Sequence, residues 1–272
     1  MKIGITGSEG FIGSHLVRVL REQNCHELVP IDSLLGDDVR KQSTCAKLKD
    51  SDIVVHLAAL LQGSFEELIS TNFSGTRCVV QNVKLGARLI YASSAAVYHG
   101  RGDYAISKIS GEAVARNAGY PGDRDSVSLR IFNAYGPGQS DKDGAVVPSF
   151  VNSLKTNQPV MVHGDGLQLR DFIYVGDVVK AILAAIEYKE QFRGMSIDVG
   201  TGWGTKVFSV YQILQDISHR YVNACFAPAR LPNIRRSRAN IEMLRLMLGV
   251  EPRRLKEGLR STWQWYTDNG QS

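Results

Sequence analysis

Short apolar runs alternate with longer amphipathic stretches along almost the whole chain. The runs 2–6, 27–31, 53–57, 88–92, 126–131, 160–163 and 195–199 are rich in Ile, Val and Leu and have the length of strands. Between and after them, 13–23, about 65–84, 104–118, 146–156, 175–188, 207–220 and 252–267 repeat apolar residues at helical spacing. Strands that are apolar on both faces and separated by helices predict a parallel sheet covered on both sides. The interval from Asp32 to Asp52 is too short for a full crossover helix and another strand, so a strand there is expected to be abbreviated or absent. From about residue 134 the chain becomes irregular and rich in Gly and Pro (Gly136, Pro137, Gly138, Pro148, Pro159, Gly164, Gly166). Such segments commonly form the ligand side of an open α/β sheet, beyond the carboxyl ends of its strands.

The first strand runs into Gly7, Gly10 and Gly13, and an amphipathic helix follows with Phe11, Ile12, Leu16, Val17 and Leu20. Glycines at this junction let the backbone turn sharply and let a diphosphate approach without a Cβ in the way. The free N–H groups of the helix start then face the anion. A bare structural turn is the alternative, but the second strand ends in Asp32, where a carboxylate can hold the hydroxyls of an adenosine ribose. The same charge repels a 2′-phosphate, which favours NAD over NADP, although Arg40 and Lys41 lie close by. The expected architecture is therefore α/β: a Rossmann-type doubly wound parallel sheet with a small C-terminal α/β substrate-binding lobe. Residues 1–133, with 160–188 returning to them, would form the NAD-binding domain, and 134–272 mainly the lobe.

A second cluster follows the strand that ends in Ser93 and Ser94. Tyr104 and Lys108 open the next helix four residues apart, one turn apart on one face. An ammonium beside a phenol favours the phenolate, as does the positive charge of an oxidised nicotinamide. Moving a phenol from about 10 towards 7 takes roughly 4 kcal/mol, within reach of two cations in a partly dry site. Tyr104 could then exchange a proton with a sugar hydroxyl that Ser94 holds.

Bulk properties narrow the remaining classes. At 272 residues and 43% apolar content the chain can fill one large α/β domain with a small appendage. A net charge of +5 without a run of like charges argues against a nucleic-acid arm. Arg230, Arg235, Arg236 and Arg238 cluster late, either as a solvated face or as a pocket for a phosphorylated substrate. Cys25, Cys45, Cys78 and Cys225 lack metal-ligand spacing, so free thiols in a reducing compartment and no metal are expected. A first strand at residue 2 and the lack of a membrane-length apolar run suggest a cytoplasmic protein without membrane contact.

These motifs, in order, resemble the extended short-chain dehydrogenases/reductases, specifically the NAD-dependent nucleotide-sugar epimerase/dehydratase family. The resemblance is carried by the 7/10/13 glycines, Asp32, His56-Leu57-Ala58-Ala59, Asn72 in Thr71-Asn72-Phe73-Ser74-Gly75-Thr76, Ser93-Ser94, Tyr104/Lys108, Leu129 to Gly138, and Arg170-Asp171-Phe172-Ile173-Tyr174-Val175. It implies that Gly7, Gly10, Phe11, Ile12, Gly13 and Asp32 bind NAD, that Asp38 and Val39 touch adenine, and that Lys108 holds the nicotinamide ribose. Leu57, Ala58 and Ala59 either line the groove or simply end a strand. The resemblance also implies that Asn133, Arg170 and Arg230 hold a nucleotide-diphosphate sugar, with Val147 against the nucleotide or in the core. Asn233 stands where an acid is usual after such an arginine.

The sugar dehydratases of the family carry an Asp-Glu pair just after the serine or threonine, and its decarboxylases a glutamate nearby; here those positions are Ala95 and Ala96. Catalysis by Ser94, Tyr104 and Lys108 alone then leaves 4-epimerisation or, as the alternative, reduction of a 4-keto sugar, which the short Asp32–Asp52 interval favours. A module that binds NAD(H) without turnover is a third reading. The stretch from Ser94 to Tyr104 is shorter than in typical relatives, so sugar identity does not carry over. Apolar faces on 65–84 and 104–118 (Leu68, Ile69, Val79, Val80, Val83; Ile106, Ile109, Ala113, Val114) match helices that pair in dimeric relatives, and a homodimer is expected. Trp263, Trp265 and Tyr266 read as packing anchors.

Overall fold

Six parallel strands form the central sheet, in the order Met195–Val199, Asp125–Ile131, Arg88–Ser94, Ile53–His56, Lys2–Thr6, Glu27–Ile31. The computed structural model describes residues 1–118, 125–141, 144–231 and 234–268. The inner strands are buried on both faces, as their unbroken apolar sequence requires: Ile3, Ile5, Val54, Val55, Leu89 and Leu129 are all almost fully enclosed. Pro30 lies in the edge strand Glu27–Ile31, where a missing N–H costs no ladder bond. No strand lies beyond that edge among the described residues. The interval after Asp32 forms only short helical turns at Ser33–Leu35, Gln42–Cys45 and Ala46–Leu48.

The chain divides into two compact units. The first comprises Met1–Ile131, Val179–Val199 and Glu242–Val250 and contains the central sheet; the second comprises Phe132–Val178, Gly200–Ile241 and Glu251–Ser272. The segment that returns to the sheet is thus Val179–Val199 rather than 160–188. The reason is strand pairing: Val160–His163 pairs in parallel with Ala224–Ala227 in the second unit, while Met195–Val199 pairs with Asp125–Ile131.

In the second unit three two-stranded pairs surround a core of Tyr135, Phe150, Leu154, Val160, Phe172, Leu214 and Leu259. Trp263 and Tyr266, on the helix Leu255–Asp268, pack against this core as anchors. Helix 65–84 is not continuous. Phe65–Ile69 is α-helical, Ser70–Gly75 is a π-helical turn, and Thr76–Asn82 resumes the α-helix. Leu68, Val79, Val80 and Val83 are enclosed within the first unit, so they cover its core rather than offer a dimer face. No described helix is long and apolar enough to cross a membrane.

One buried ion pair ties the sheet to its surroundings. Arg88 Nε donates to Asp125 at 2.6 Å, its Nη1 to the carbonyls of Ala185 and Tyr188, and its Nη2 to that of Glu190. Asp125 also accepts from the Phe192 N–H at 2.6 Å. Removing one partner of such a pair strands a buried charge. The substitution Arg88→Met is therefore expected to destabilise the fold by about 3–5 kcal/mol, measured by urea denaturation; a loss below about 1 kcal/mol would show that the pair is already solvated.

Candidate active site

The strand ends bring the first group of residues together. Thr6, Ile31 and His56 share one register, so Gly7, Asp32 and Leu57 all lie just beyond the same sheet edge. Gly7 has φ +72°, and its N–H donates to the Ile31 carbonyl at 2.8 Å. A Cβ on Gly7 would stand 2.7 Å from the Ala58 nitrogen, and one on Gly13 only 1.9 Å from the Gly7 carbonyl oxygen. Only glycine lets the helix Phe11–Gln23 press this closely on the turn. Its first N–H groups, which have no partner within the helix, crown a cavity of about 500 Å³ lined by Gly7, Gly10, Asp32, Asp38, Val39, Leu57, Ala58 and Ala59. Glu9, Leu34, Arg40, Leu60, Glu67 and Thr71 add to that lining. Phe11, Ile12 and Gly13 are not among the lining residues; they supply the helix start behind it.

Asp32 is oriented by its own chain, accepting from the N–H groups of Glu9 at 3.1 Å and Leu34 at 3.0 Å. Arg40 clamps Asp38 through Nε at 2.9 Å and Nη2 at 2.7 Å and holds that carboxyl below the usual range. Arg40 is thus already paired with a carboxylate rather than left to meet a 2′-phosphate. A glycine cradle that any Cβ would fill, with a fixed carboxylate at the next strand end, fits a dinucleotide.

The strand Arg88–Ser94 runs three residues past the register of His56, which carries Ser94 beyond the sheet edge. Ser94 accepts from the Ala96 N–H at 3.2 Å and so starts the turn Ala95–Tyr98. The helix Asp103–Ala118 then presents Tyr104 and Lys108. The Ser94 hydroxyl lies beside the Tyr104 phenol. Burial raises the Tyr104 phenol above its ordinary value, and Ser94 pulls it partly back.

Lys108 departs from the sequence expectation. Its Nζ donates to the Ala92 carbonyl at 2.5 Å and sits 4.5 Å from the centre of the Tyr91 ring. The i, i+4 spacing gives a shared face, but the long side chain reaches back to the strand. Burial lowers the Lys108 amine to about 7, against a smaller opposing pull from Glu112.

Two polar networks hold these elements. Asn72, in the π-helical turn, accepts from the Leu60 N–H at 2.8 Å and donates to the Leu60 carbonyl and to Ser107 Oγ, both at 2.9 Å. Ser107 in turn donates to the Tyr104 carbonyl at 2.8 Å. Asn72 thus links a wall of the cofactor cavity to the helix that carries the phenol. Glu112 binds Ser93, Ser196 and Arg130, and Arg130 donates to the Tyr98 hydroxyl at 2.9 Å. Glu112 stands four residues after Lys108, a helical repeat that could have flagged it in the sequence.

The second unit holds its own pocket, of about 190 Å³, lined among others by Asn133, Val146, His163, Gln168, Arg170 and Arg230. Asp171 is fully buried and accepts from Thr201, Gly202 and Ala239 backbone N–H groups. That anchors the strand, and its neighbour Arg170 lies at the pocket. Arg170 donates to the Leu169 and Ile234 carbonyls, and no described carboxylate pairs with it. Arg230 donates to the Gly144 carbonyl at 3.0 Å and to the His163 ring at 2.9 Å. Val147 is a correction: it is enclosed in the core of this unit, and its neighbour Val146 lines the pocket, because the helix Val146–Lys155 turns Val147 inward. His163 and Gln168 had a signal in the glycine-spaced run before Arg170. Asn233 lies outside the described residues.

The lowered Lys108 value makes a stability prediction. Between about 7 and its ordinary 10.5 the unfolded chain holds one more proton at this position than the folded chain. Stability therefore rises with pH across that window and falls as pH drops through it, by up to about 5 kcal/mol at ~1.4 per pH unit. Urea denaturation of Lys108→Met at pH 7 and pH 9 is expected to show this slope flattened; an unchanged slope would mean that the amine keeps its water.

Comparison with known proteins places this architecture. Residues 3–200 match the family model described as the NAD dependent epimerase/dehydratase family. UDP-N-acetyl-alpha-D-glucosaminuronate decarboxylase of Bacillus cytotoxicus is 29% identical, with 97% of each chain covered. The crystal structure of UDP-glucose 4-epimerase from Thermotoga maritima with UDP-glucose superposes with a TM-score of 0.90 at 26% identity, covering 99% of both chains. MoeE5 in complex with UDP-glucuronic acid and NAD superposes with a TM-score of 0.88 at 27% identity, covering 99% of this chain and 100% of the other. The glycine cradle, the placed carboxylate and the match over most of its length agree: this chain belongs to the NAD-dependent epimerase/dehydratase family.

Proposed function

We propose that the chain is a nucleotide-sugar 4-epimerase that works through a transient 4-keto sugar. The observation that carries this reading is the Ser94 hydroxyl beside the Tyr104 phenol, next to a turn that begins Ala95-Ala96. A phenol and a hydroxyl suffice to handle the proton of a secondary alcohol, and two alanines offer no acid for eliminating water.

Each residue then has a distinct part. Gly7, Gly10, Phe11, Ile12 and Gly13 would form the diphosphate cradle, and Asp32, Asp38 and Val39 the adenosine side, with Leu57, Ala58 and Ala59 as wall. Bound there, NAD supplies a hydride acceptor for a carbinol carbon. Tyr104 takes the proton of the 4-hydroxyl and later returns it; Ser94 orients that oxygen; Lys108 holds the nicotinamide ribose. On the second unit, Arg170 and Arg230 would bind the sugar nucleotide's diphosphate and Asn133 its sugar side. A guanidinium with no carboxylate partner among the described residues suits that anion, because its planar fork donates paired hydrogen bonds.

Reduction of a 4-keto sugar remains a second reading, favoured by the missing strand after Asp32. It would consume reduced cofactor in proportion to product, whereas epimerisation would not. The named relatives act on or bind UDP-sugars, which makes UDP-hexoses and UDP-hexuronates the first compounds to assay.

Assayed with these compounds, Tyr104→Phe is expected to lower turnover by about 10²–10⁴-fold with NAD binding retained. Arg170→Leu should raise KM by about 10-fold or more with a smaller change in kcat. Turnover unchanged in Tyr104→Phe would overturn the acid/base assignment. We also propose a homodimer. Ile106 and Ile109, on the helix Asp103–Ala118, and Phe65 are each at least 40% exposed. Sedimentation should give the mass of two chains, reduced to one by Ile106→Asp with Ile109→Asp; a wild-type monomer would refute it.

A further inference from the structure

Two of the four cysteines belong to one hydrophobic cluster with Val39, next to the cofactor cavity. Cys45 ends the short helix Gln42–Cys45, is fully buried, and donates its S–H to the Val39 carbonyl at 3.1 Å. Cys78 lies on the helix Thr76–Asn82, half-buried against the same hydrophobic cluster. Its Sγ is 3.5 Å from Gln42 Oε1, one turn before Cys45. Gln42 Nε2 also donates to Asn82 Oδ1 at 3.1 Å, so the two helices that carry the cysteines are latched together. Cys25 and Cys225 are exposed.

Val39 is part of the cavity wall, its carbonyl is held by the Cys45 thiol, and Cys78 packs against the same cluster. We propose that Cys45 and Cys78 form a thiol–disulfide switch that controls how tightly the cavity wall around Val39 holds the dinucleotide. The coupling rests on the NAD-binding reading of that cavity; the disulfide itself does not.

Chemically, a peroxide is a sufficient oxidant. Hydrogen peroxide meets Cys78 first, the more accessible sulfur, giving a sulfenic acid and one water. The Cys45 sulfur then attacks the Cys78 sulfur, the S–S bond forms, and the sulfenic oxygen leaves as a second water, taking the Cys45 proton. The two thiols lose two electrons and two protons, and the peroxide gains them. Burial raises the Cys45 thiol, so the second step is slow and needs sustained oxidant. Once the disulfide forms, the Val39 carbonyl has lost its S–H donor, and the Asp38–Val39 segment is no longer held in the cofactor-ready position.

The test uses the full chain, reduced or incubated with hydrogen peroxide, then alkylated and digested without reductant. Mass spectrometry is expected to find a peptide cross-linked through Cys45 and Cys78. The NAD dissociation constant, by calorimetry, should rise about tenfold, the scale of one lost buried hydrogen bond, and return with dithiothreitol. Cys78→Ser should bind NAD like the reduced wild type and be indifferent to peroxide. Oxidation confined to Cys25 and Cys225 would overturn the proposal. A cross-link that leaves NAD affinity unchanged would overturn the coupling, as would a Cys78→Ser variant that still weakens on oxidation. Reduced protein that binds no NAD would instead refute the cofactor reading while the cross-link could still be seen.

Discussion

A half-buried phenol and a buried amine on one helix set the conditions for everything else. Desolvation acts on both in opposite senses: it keeps the Tyr104 phenol protonated and drives the Lys108 amine towards neutrality at about 7. The neighbouring Ser94 hydroxyl eases ionisation of the phenol. The site is therefore not a standing base. In the proposed mechanism it becomes one when further positive charge approaches the phenol, as an oxidised nicotinamide in the groove would supply.

The surrounding polar groups are arranged to keep that geometry fixed. His56 is buried and driven down to about 3, hence neutral, and bridges Thr6 at 2.6 Å and Thr76 at 2.9 Å. Thr6 in turn accepts from the Ala58 N–H, so the ring connects the glycine-turn strand, the cavity wall and the helix after the π-helical turn. Asn72 and Glu112 act similarly, Asn72 tying the Tyr104 helix to Leu60 and Glu112, on that helix, tying it to Ser93, Arg130 and Ser196. Satisfied buried networks of this kind favour one arrangement over its neighbours, and π-helical turns recur at functional sites because they redirect single side chains.

Much of this was legible in the sequence, for identifiable reasons. The strands of the central sheet could be read because burial on both faces demands unbroken apolar runs, and the glycine turn because only glycine tolerates a 1.9 Å virtual clash at position 13. The missing strand followed from simple length. What escaped was set by tertiary contact. The π-helical turn has no local signature, since it arises from Asn72 bonding to Leu60 and Ser107. Short strands such as Asn133–Tyr135 and Phe172–Tyr174 are too brief for a period to show. Lys108 could be placed on the right helix face, but its reach to Ala92 depends on a strand distant in sequence. Val147 and Val146 are chemically identical neighbours, and only the helix's rotation distinguishes core from pocket.

The reaction itself is tested most directly by following one atom. UDP-glucose or UDP-glucuronate labelled with deuterium at C4 would be incubated with the protein and NAD, and the product examined by NMR. The account predicts inversion at C4 with the deuterium retained there, because the same carbon gives up and regains it while Tyr104 moves only the hydroxyl proton. Loss of the label to water, loss of carbon dioxide from the uronate, or inversion that proceeds unchanged without any dinucleotide would contradict it.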